Sequence, residues 1–260
     1  MSRRIALANQ KGGVGKTTTA ISLGAFLAAK GERVLLVDVD PQANATSGLG
    51  FDKWRVERST YDVFIGGCVA GEAILSTNRR GLELLGASPH LAAVEVELAG
   101  AERRELVLRE ALTQVADHYD FILLDCPPSL GLLTVNALAA ATDVIVPVQC
   151  EYLALEGLSL LLNTIERVRD SLNPGLAVFG IVMTMYDPRT NLSEQVVNEV
   201  RQHYPESVFR TIIPRNVRLS EAPSYGLSIL DYDAACRGAT SYEALAEEAL
   251  ERSGAAAMPV

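Results

Sequence analysis

The sequence predicts an α/β protein, a doubly wound and mostly parallel sheet flanked by helices, and three observations carry that prediction. Short apolar runs alternate with longer stretches of helical periodicity along almost the whole chain, the strand, helix, strand rhythm of such folds. Most of the short runs are apolar at every position, as strands covered on both faces must be. With 260 residues, 48% of them hydrophobic and 21% charged, the chain has the length and composition of a soluble domain with a sizeable core.

Taken in order, the strands are expected at 5–8, 34–37, 82–85, 121–124, 144–148 and 178–184. Between them, 17–29 places Ala20, Leu23 and Leu27 on one side of a helix, and 104–115 carries Leu108 and Leu112 four apart. The stretch 155–168 repeats Leu158, Leu161, Leu162 and Ile165, and 241–254 is a last helical pattern. No internal repeat and no linker rich in Pro, Gly or Ser divides the chain, so 1–252 reads as a single domain and 253–260 as a frayed tail.

Charge and cysteines exclude several classes. Lys and Arg number 23 against 32 Asp and Glu, a formal charge of -9, which argues against a surface coated in basic residues and leaves room for a local basic patch. Cys68, Cys126, Cys150 and Cys236 form no C-x-x-C pair, so neither a zinc site nor a disulfide framework is suggested. Two arginines near the N-terminus are followed by an apolar run far shorter than a signal peptide needs, and no stretch approaches the length of a membrane span. The expected location is the cytoplasm.

The chemistry concentrates in residues 9–18, NQKGGVGKTT, between the first strand and the first helix. Gly12, Gly13 and Gly15 let backbone N–H groups curl around an anion, to which the helix adds the positive end of its dipole. Phosphate fits such a nest. Lys16 would reach the β- and γ-phosphates of a nucleotide, and Thr17 would place its hydroxyl on magnesium. The common pattern G-x-x-x-x-G-K-[ST] fails, because its first glycine falls at Gln10. The form present, K-G-G-x-G-K-T-T with an additional Lys11, resembles the deviant phosphate loop of the ParA/MinD group of ATPases.

Further motifs resemble the ParA/Soj chromosome-partitioning branch: LLVDVDPQANATSGLG at 35–50, ILLDCPPSLGLLTVNAL at 122–138, PVQCEYLALEGLSLLLNT at 147–164, DPRTNLSEQV at 187–196 and IPRNVRLSEAPSYG at 213–226. The resemblance spans roughly residues 4 to 250. It implies a phosphate-loop fold, an ATP and magnesium requirement, and contact of Lys11, Gly12, Gly13, Val14, Gly15, Lys16, Thr17 and Thr18 with the nucleotide. It also implies that Lys11 crosses into the site of a second subunit, so that two ATP molecules are sandwiched in a homodimer. Only four lysines occur in the chain and two lie in this loop, which disfavours a merely solvated Lys11. For the adenine, the resemblance points to Pro214 and Asn216, with Met185 as a weaker ring contact.

The residues support this reading on their own terms. Loops at the carboxyl ends of adjacent parallel strands face one crevice, and three such loops carry the glycine nest, the Asp38/Asp40 pair and Asp125. Carboxylates beside a triphosphate need a metal between them. Asp125 is the expected magnesium acid, usually through a water, and Asp38 would support the metal from behind. Asp40 would orient or deprotonate the attacking water, so Lys11, Lys16 and Asp40 are the expected catalytic groups. Pro127 and Pro128 would stiffen the loop after Asp125. Cys126 reads as a buried packing thiol rather than a cluster ligand.

Three destinations for such a switch are separable. A MinD-like membrane or protein scaffold is the alternative, but the last helical pattern carries Glu243, Glu247, Glu248 and Glu251 against Arg252, which anionic lipid would repel. An iron–sulfur relative lacks support. DNA is favoured, because 207–220 holds Arg210, Arg215 and Arg218 with no acid. The resemblance implies sequence-independent binding of double-stranded DNA by the ATP-bound dimer, with Arg189 and Arg218 as contacts, nucleoid association, and hydrolysis stimulated by a ParB-like centromere-binding protein; the basic strip adds Arg215 as a candidate contact. No helix-turn-helix segment precedes the phosphate loop, so operator binding is not expected.

Overall fold

The computed structural model describes residues 2–152 and 154–255. Eight strands form one sheet: β1 (Arg3–Leu7), β2 (Val34–Asp38), β3 (Ile74–Ser76), β4 (Leu82–Leu85), β5 (Phe121–Asp125), β6 (Asp143–Gln149), β7 (Ala177–Tyr186) and β8 (Val208–Pro214). Their order is β3-β4-β2-β5-β1-β6-β7-β8, with every pair parallel except β3 with β4. The chain leaves β1 towards β2 on one side and later returns to β6 on the other. That reversal opens a crevice at the carboxyl ends of the central strands.

Period-two alternation sends each strand's side chains to both faces. Ile5, Leu7, Leu36 and Leu123 join one buried cluster with Ala20, Leu23 and Leu27 of α1 (Lys16–Ala29) and with Tyr242, Leu245 and Ala249 of the final helix, Arg237–Ala255. Ala6, Val37, Leu124 and Val146 face the other way, onto Leu138, Leu158, Leu161 and Val197 from helices Leu132–Ala140, Ala154–Ser171 and Asn191–His203. All six expected strands are present, and β3 and β8 are additional. β3 has three residues at an antiparallel edge, too few to show a period.

β8 escaped notice for a different reason. Between the pairs Ile181↔Val208 and Met183↔Ile212, β7 advances two residues and β8 four, so a bulge interrupts its alternation. The N–H groups of Arg210 and Thr211 in the bulge donate to the Glu248 carboxylate at 2.8 and 3.0 Å. Glu248 also accepts from the Thr211 hydroxyl and from Arg252, each at 2.9 Å. The sequence placed Glu248 on an exposed acidic face. It is instead 3% exposed, turned inward to close the free edge of the sheet.

Two more expectations are corrected. The helix expected over 104–115 is a short 3-10 turn at Arg104–Leu106 followed by Val107–Thr113. Asn136 interrupts it, accepting from the Leu108 N–H at 3.1 Å and donating to the Arg104 carbonyl at 2.9 Å. Of the expected tail, Ser253, Gly254 and Ala255 instead continue the final helix. Residues 256–260 lie outside the described residues.

Four donors hold the Glu248 pKa below its ordinary value although burial opposes them. A carboxylate depressed in the folded state stabilises above its unfolded pKa, and that contribution disappears as pH falls towards the folded value. Glu248→Ala should therefore cost about 3 kcal/mol at neutral pH, having left two buried-edge N–H groups without their acceptor and Arg252 without its carboxylate partner. Urea unfolding at pH 7 and pH 4 checks this, and the difference between wild type and variant should shrink at the lower pH.

Candidate nucleotide site

The end of β1 places the phosphate loop. Leu7 is in register with Asp125 of β5, and Asp125 with Asp38 of β2, so the two acids stand side by side where the chain of β1 turns into the loop. Gly13 (φ 74°) and Gly15 (φ 90°) take left-handed values that other residues avoid. Gly15 is also the N-cap of α1, which has neither a side-chain cap nor an acid in its first turn. Its first N–H groups and dipole are thus left for an anion.

Contacts from β6 and β7 pin the loop. Asn9 donates to the Pro147 carbonyl at 2.7 Å and accepts from the Lys11 N–H at 2.9 Å, while the Thr184 hydroxyl donates to the Val14 carbonyl at 2.8 Å. Neither Asn9 nor Thr184 was a predicted site residue. Asn9 lay in view at the end of the first apolar run, but Thr184 meets the loop from 170 residues away. Lys16 is buried and folds back over the loop, 3.3 Å from the Lys11 carbonyl. Burial lowers its pKa, and Asp125, Cys126 and Asp40 pull it partly back.

Two adjoining cavities open here. One, about 300 Å³, is lined by Gly12, Gly13, Gly15, Lys16, Thr17, Thr18, Asp40, Gln42, Asn44, Pro128 and Met185. The other, about 220 Å³, is lined by Gly15, Thr18, Thr184, Met185, Pro214, Arg215, Asn216 and Tyr242 among others. They share Gly15, Thr18 and Met185, so the space beside the phosphate loop adjoins the space beside the IPRN segment. Met185 stands at this junction with φ 53°, unusual for a side chain of its size. A larger cavity of about 400 Å³, lined by Phe51, Arg55, Arg58 and Leu75, contains none of the predicted residues.

The two buried acids differ in their partners. Asp38 accepts from the Thr46 N–H (2.9 Å), the Thr46 hydroxyl (2.7 Å) and the Asp40 N–H (3.2 Å), which leaves it a supporting position. Burial pushes its pKa up to about 6 against those bonds. Asp125 is fully buried, and neither of its oxygens meets a donor at hydrogen-bonding geometry among the described residues. Burial and then Asp38 raise its pKa well above the carboxylate range, with the Thr17 hydroxyl near enough to oppose them. A buried carboxylate without donors, facing a threonine hydroxyl and a phosphate nest, suits an acid that shares a divalent cation's shell. No three His, Cys, Asp or Glu side chains among the described residues could hold a metal by themselves, which fits a cation completed by nucleotide oxygens.

Asp40 lines the phosphate cavity and also closes a turn, its Oδ1 accepting from the Gln42 N–H at 2.9 Å. Val14 is buried beneath the loop. Lys11 lines neither cavity, and its Nζ meets Glu151 at 2.8 Å. Gln149 fixes the other Glu151 oxygen at 2.6 Å. Burial pushes the Cys126 thiol far above its ordinary value, so it is an inert packing group, and the four cysteines are unpaired.

The basic strip is less basic than its sequence. Arg189 is bidentate on Asp187, whose pKa falls to about 2 through those hydrogen bonds. Arg218 meets Glu221 at 2.9 Å and Asp233 at 3.4 Å. Arg210 turns away to Glu248 and Glu251 of the final helix. The strip 207–220 holds no acid of its own, but Glu221 just beyond it and Asp233, Glu248 and Glu251, brought by folding, pair with Arg218 and Arg210. Arg215 is exposed and makes no ion pair among the described residues.

A family model described as an AAA domain matches residues 2–178. The chain is 56% identical to the chromosome-partitioning ATPase Soj of Thermus thermophilus over 250 residues, covering 96% of each chain. It is 53% identical to the sporulation initiation inhibitor protein Soj of Bacillus subtilis over 248 residues, 95% of this chain and 98% of that one. Among solved structures, a cobyrinic acid a,c-diamide synthase from Mycobacterium smegmatis with bound ADP and magnesium superposes with a TM-score of 0.87 at 39% identity, covering 100% of this chain and 99% of the other.

Thr46 supplies a testable link between fold and site. Its hydroxyl donates to Asp38 and accepts from the Ala87 N–H at 2.8 Å, so Thr46→Val leaves both buried partners short of a bond. The expected loss is about 1–3 kcal/mol in chemical denaturation. Thr46→Ser should restore most of it, and equal stability of the Val variant and wild type would contradict the assignment.

Proposed function

The chain belongs to the ParA/Soj family of chromosome-partitioning ATPases, and from that premise we propose that it is a nucleotide switch acting on DNA. It binds ATP with magnesium, pairs with a second copy across the bound nucleotides, and in that form holds duplex DNA without sequence preference. Hydrolysis, stimulated by a ParB-like centromere-binding protein, releases it. It works in the cytoplasm on the nucleoid.

The observation that carries the nucleotide reading is the donor-free, buried Asp125 behind a glycine nest with an uncapped helix end. Thr17 and Asp125 would hold magnesium, which supplies positive charge against the phosphate oxygens. The nest and Lys16 bind and orient the phosphates, Asp38 braces the loop that carries Asp40, and Asp40 holds the attacking water. The base occupies the space between Met185, Pro214 and Asn216. That the M. smegmatis structure holds ADP and magnesium supports the same ligands here. Partitioning is preferred to the activity named for that protein because the Soj relatives are closer, at 53% and 56% identity against 39%.

The MinD-like alternative has less support. The apolar side of the final helix is occupied by α1 and β8 through Tyr242, Leu245 and Ala249, not presented to a bilayer. No helix among the described residues is long and apolar enough to cross a membrane.

Lys16→Ala should abolish binding of ADP and ATP alike. Lys11→Ala should keep ADP binding and lose ATP-driven dimerisation, and equal loss of both activities in the two variants would refute the role of Lys11 across the dimer. Asp40→Ala should bind ATP and accumulate as a dimer, with turnover measured by phosphate release falling to background.

For DNA, the measurement is a salt titration of duplex binding by the ATP-loaded Asp40→Ala dimer. Arg189→Glu, Arg215→Glu and Arg218→Glu should each weaken binding and flatten the salt slope by about one unit for every phosphate that is no longer neutralised, while the dimer still forms. Equal binding with ADP would sink the switch. An ATP-dependent pelleting with anionic vesicles would favour the scaffold alternative.

A further inference from the structure

Tyr225 is 68% exposed, and Val217 is 69% exposed between Arg215 and Arg218 in the chain. Single exposed apolar side chains are ordinary, so what singles out Tyr225 is its setting, one ring away from Arg218. The Tyr225 ring stacks on Tyr232 at a centroid separation of 5.1 Å and 26° between planes. Tyr232 is fixed in turn: its hydroxyl donates to Glu221 at 3.1 Å, and the Arg218 guanidinium lies 6.0 Å from its ring centroid. The backbone beside the ring is equally confined. Gly226 (φ 67°) lies so close to Gly50 (φ 87°) that a methyl group on Gly226 would come within 2.6 Å of the Gly50 Cα. An aromatic ring stacked on a fixed neighbour, and carried on a backbone confined beside it, loses little freedom when it binds.

We propose that Tyr225 gives this protein a non-ionic contact with duplex DNA, its ring lying against the apolar sugar and base-edge wall of a groove while the neighbouring arginines meet phosphates. The inference rests on the duplex-binding reading above and names a residue that reading did not include. Its physical motive is charge. A chain at -9, with Arg189 and Arg218 already facing carboxylates, draws limited affinity from phosphates alone, and an apolar contact does not weaken with salt.

The test is duplex binding by the ATP-loaded Asp40→Ala dimer across a salt series, with Tyr225→Ala, Tyr225→Leu and Tyr225→Phe compared. Tyr225→Ala should bind about five- to tenfold more weakly at every salt concentration, the low end of what aromatic contacts to nucleic acid provide, with an unchanged slope of log affinity on log salt. Tyr225→Phe should stay within about twofold of the parent and Tyr225→Leu should fall between. Light scattering confirms that each variant still dimerises with ATP. Parental affinity in Tyr225→Ala while Arg215→Glu is defective overturns the inference and leaves the DNA reading standing, assigning the ring to a protein partner. Equal weakening in Tyr225→Ala and Tyr225→Phe overturns it too, by making the hydroxyl rather than the ring the contact. If Arg215→Glu, Arg189→Glu and Arg218→Glu are silent as well, the DNA reading itself fails.

Discussion

Two carboxylates held side by side in the dry centre of a parallel sheet are the constraint around which this molecule is arranged. Were both ionised, charges about 5 Å apart, the spacing of adjacent strands, would repel by roughly 3 kcal/mol even at an effective dielectric of 20, and burial together with Asp38 keeps the Asp125 pKa raised. The fold treats the two acids unequally. Asp38 is surrounded by donors from Thr46 and the Asp40 backbone, and the Thr60 hydroxyl braces its carbonyl at 2.8 Å. Asp125 receives nothing comparable, so the unmet demand for positive charge is concentrated at one atom pair, where the phosphate loop and Lys16 converge. A sheet with its acids equally satisfied would have no such focus.

What could be read from the sequence was what is local along it. The glycine nest, the helix behind it and the acids at strand ends each occupy a few consecutive residues, and their chemistry follows from spacing. Most of the six expected strands were legible because burial on both faces leaves few polar positions in them. What was hidden depended on partners far away: Thr184 on the phosphate loop, Glu248 on the bulge of β8, Asn136 at the start of the broken helix, and Glu151 on Lys11. The arginine strip shows the same limit with the opposite sign. Counting acids within 207–220 gave none, yet Asp187, Glu221, Asp233, Glu248 and Glu251 all reach the arginines once the chain is folded or lie just outside the window.

Those ion pairs change how an acidic protein can meet a polyanion. Each exposed pair contributes little to stability, since solvent and salt screen it. Its larger effect is to keep the surface near neutrality until a phosphate replaces the carboxylate, so attraction becomes strong only at close range. In the proposed ATP-bound dimer, affinity would then come from presenting several such exchanges on one rigid face at once.

The approach of Gly50 to Gly226 has a mechanical consequence. Gly50 follows the short helix Asn44–Gly48, which is continuous with the loop carrying Asp40, and Gly226 ends the turn Ala222–Tyr225 that follows Arg218. The two main chains mesh with no side chain between them, like teeth without padding. Packed protein is nearly incompressible, so any shift of one loop along the line joining the glycines is handed to the other almost undiminished. A soft side chain at that point would absorb the stroke; bare backbone turns two loops from distant parts of the sequence into a single lever.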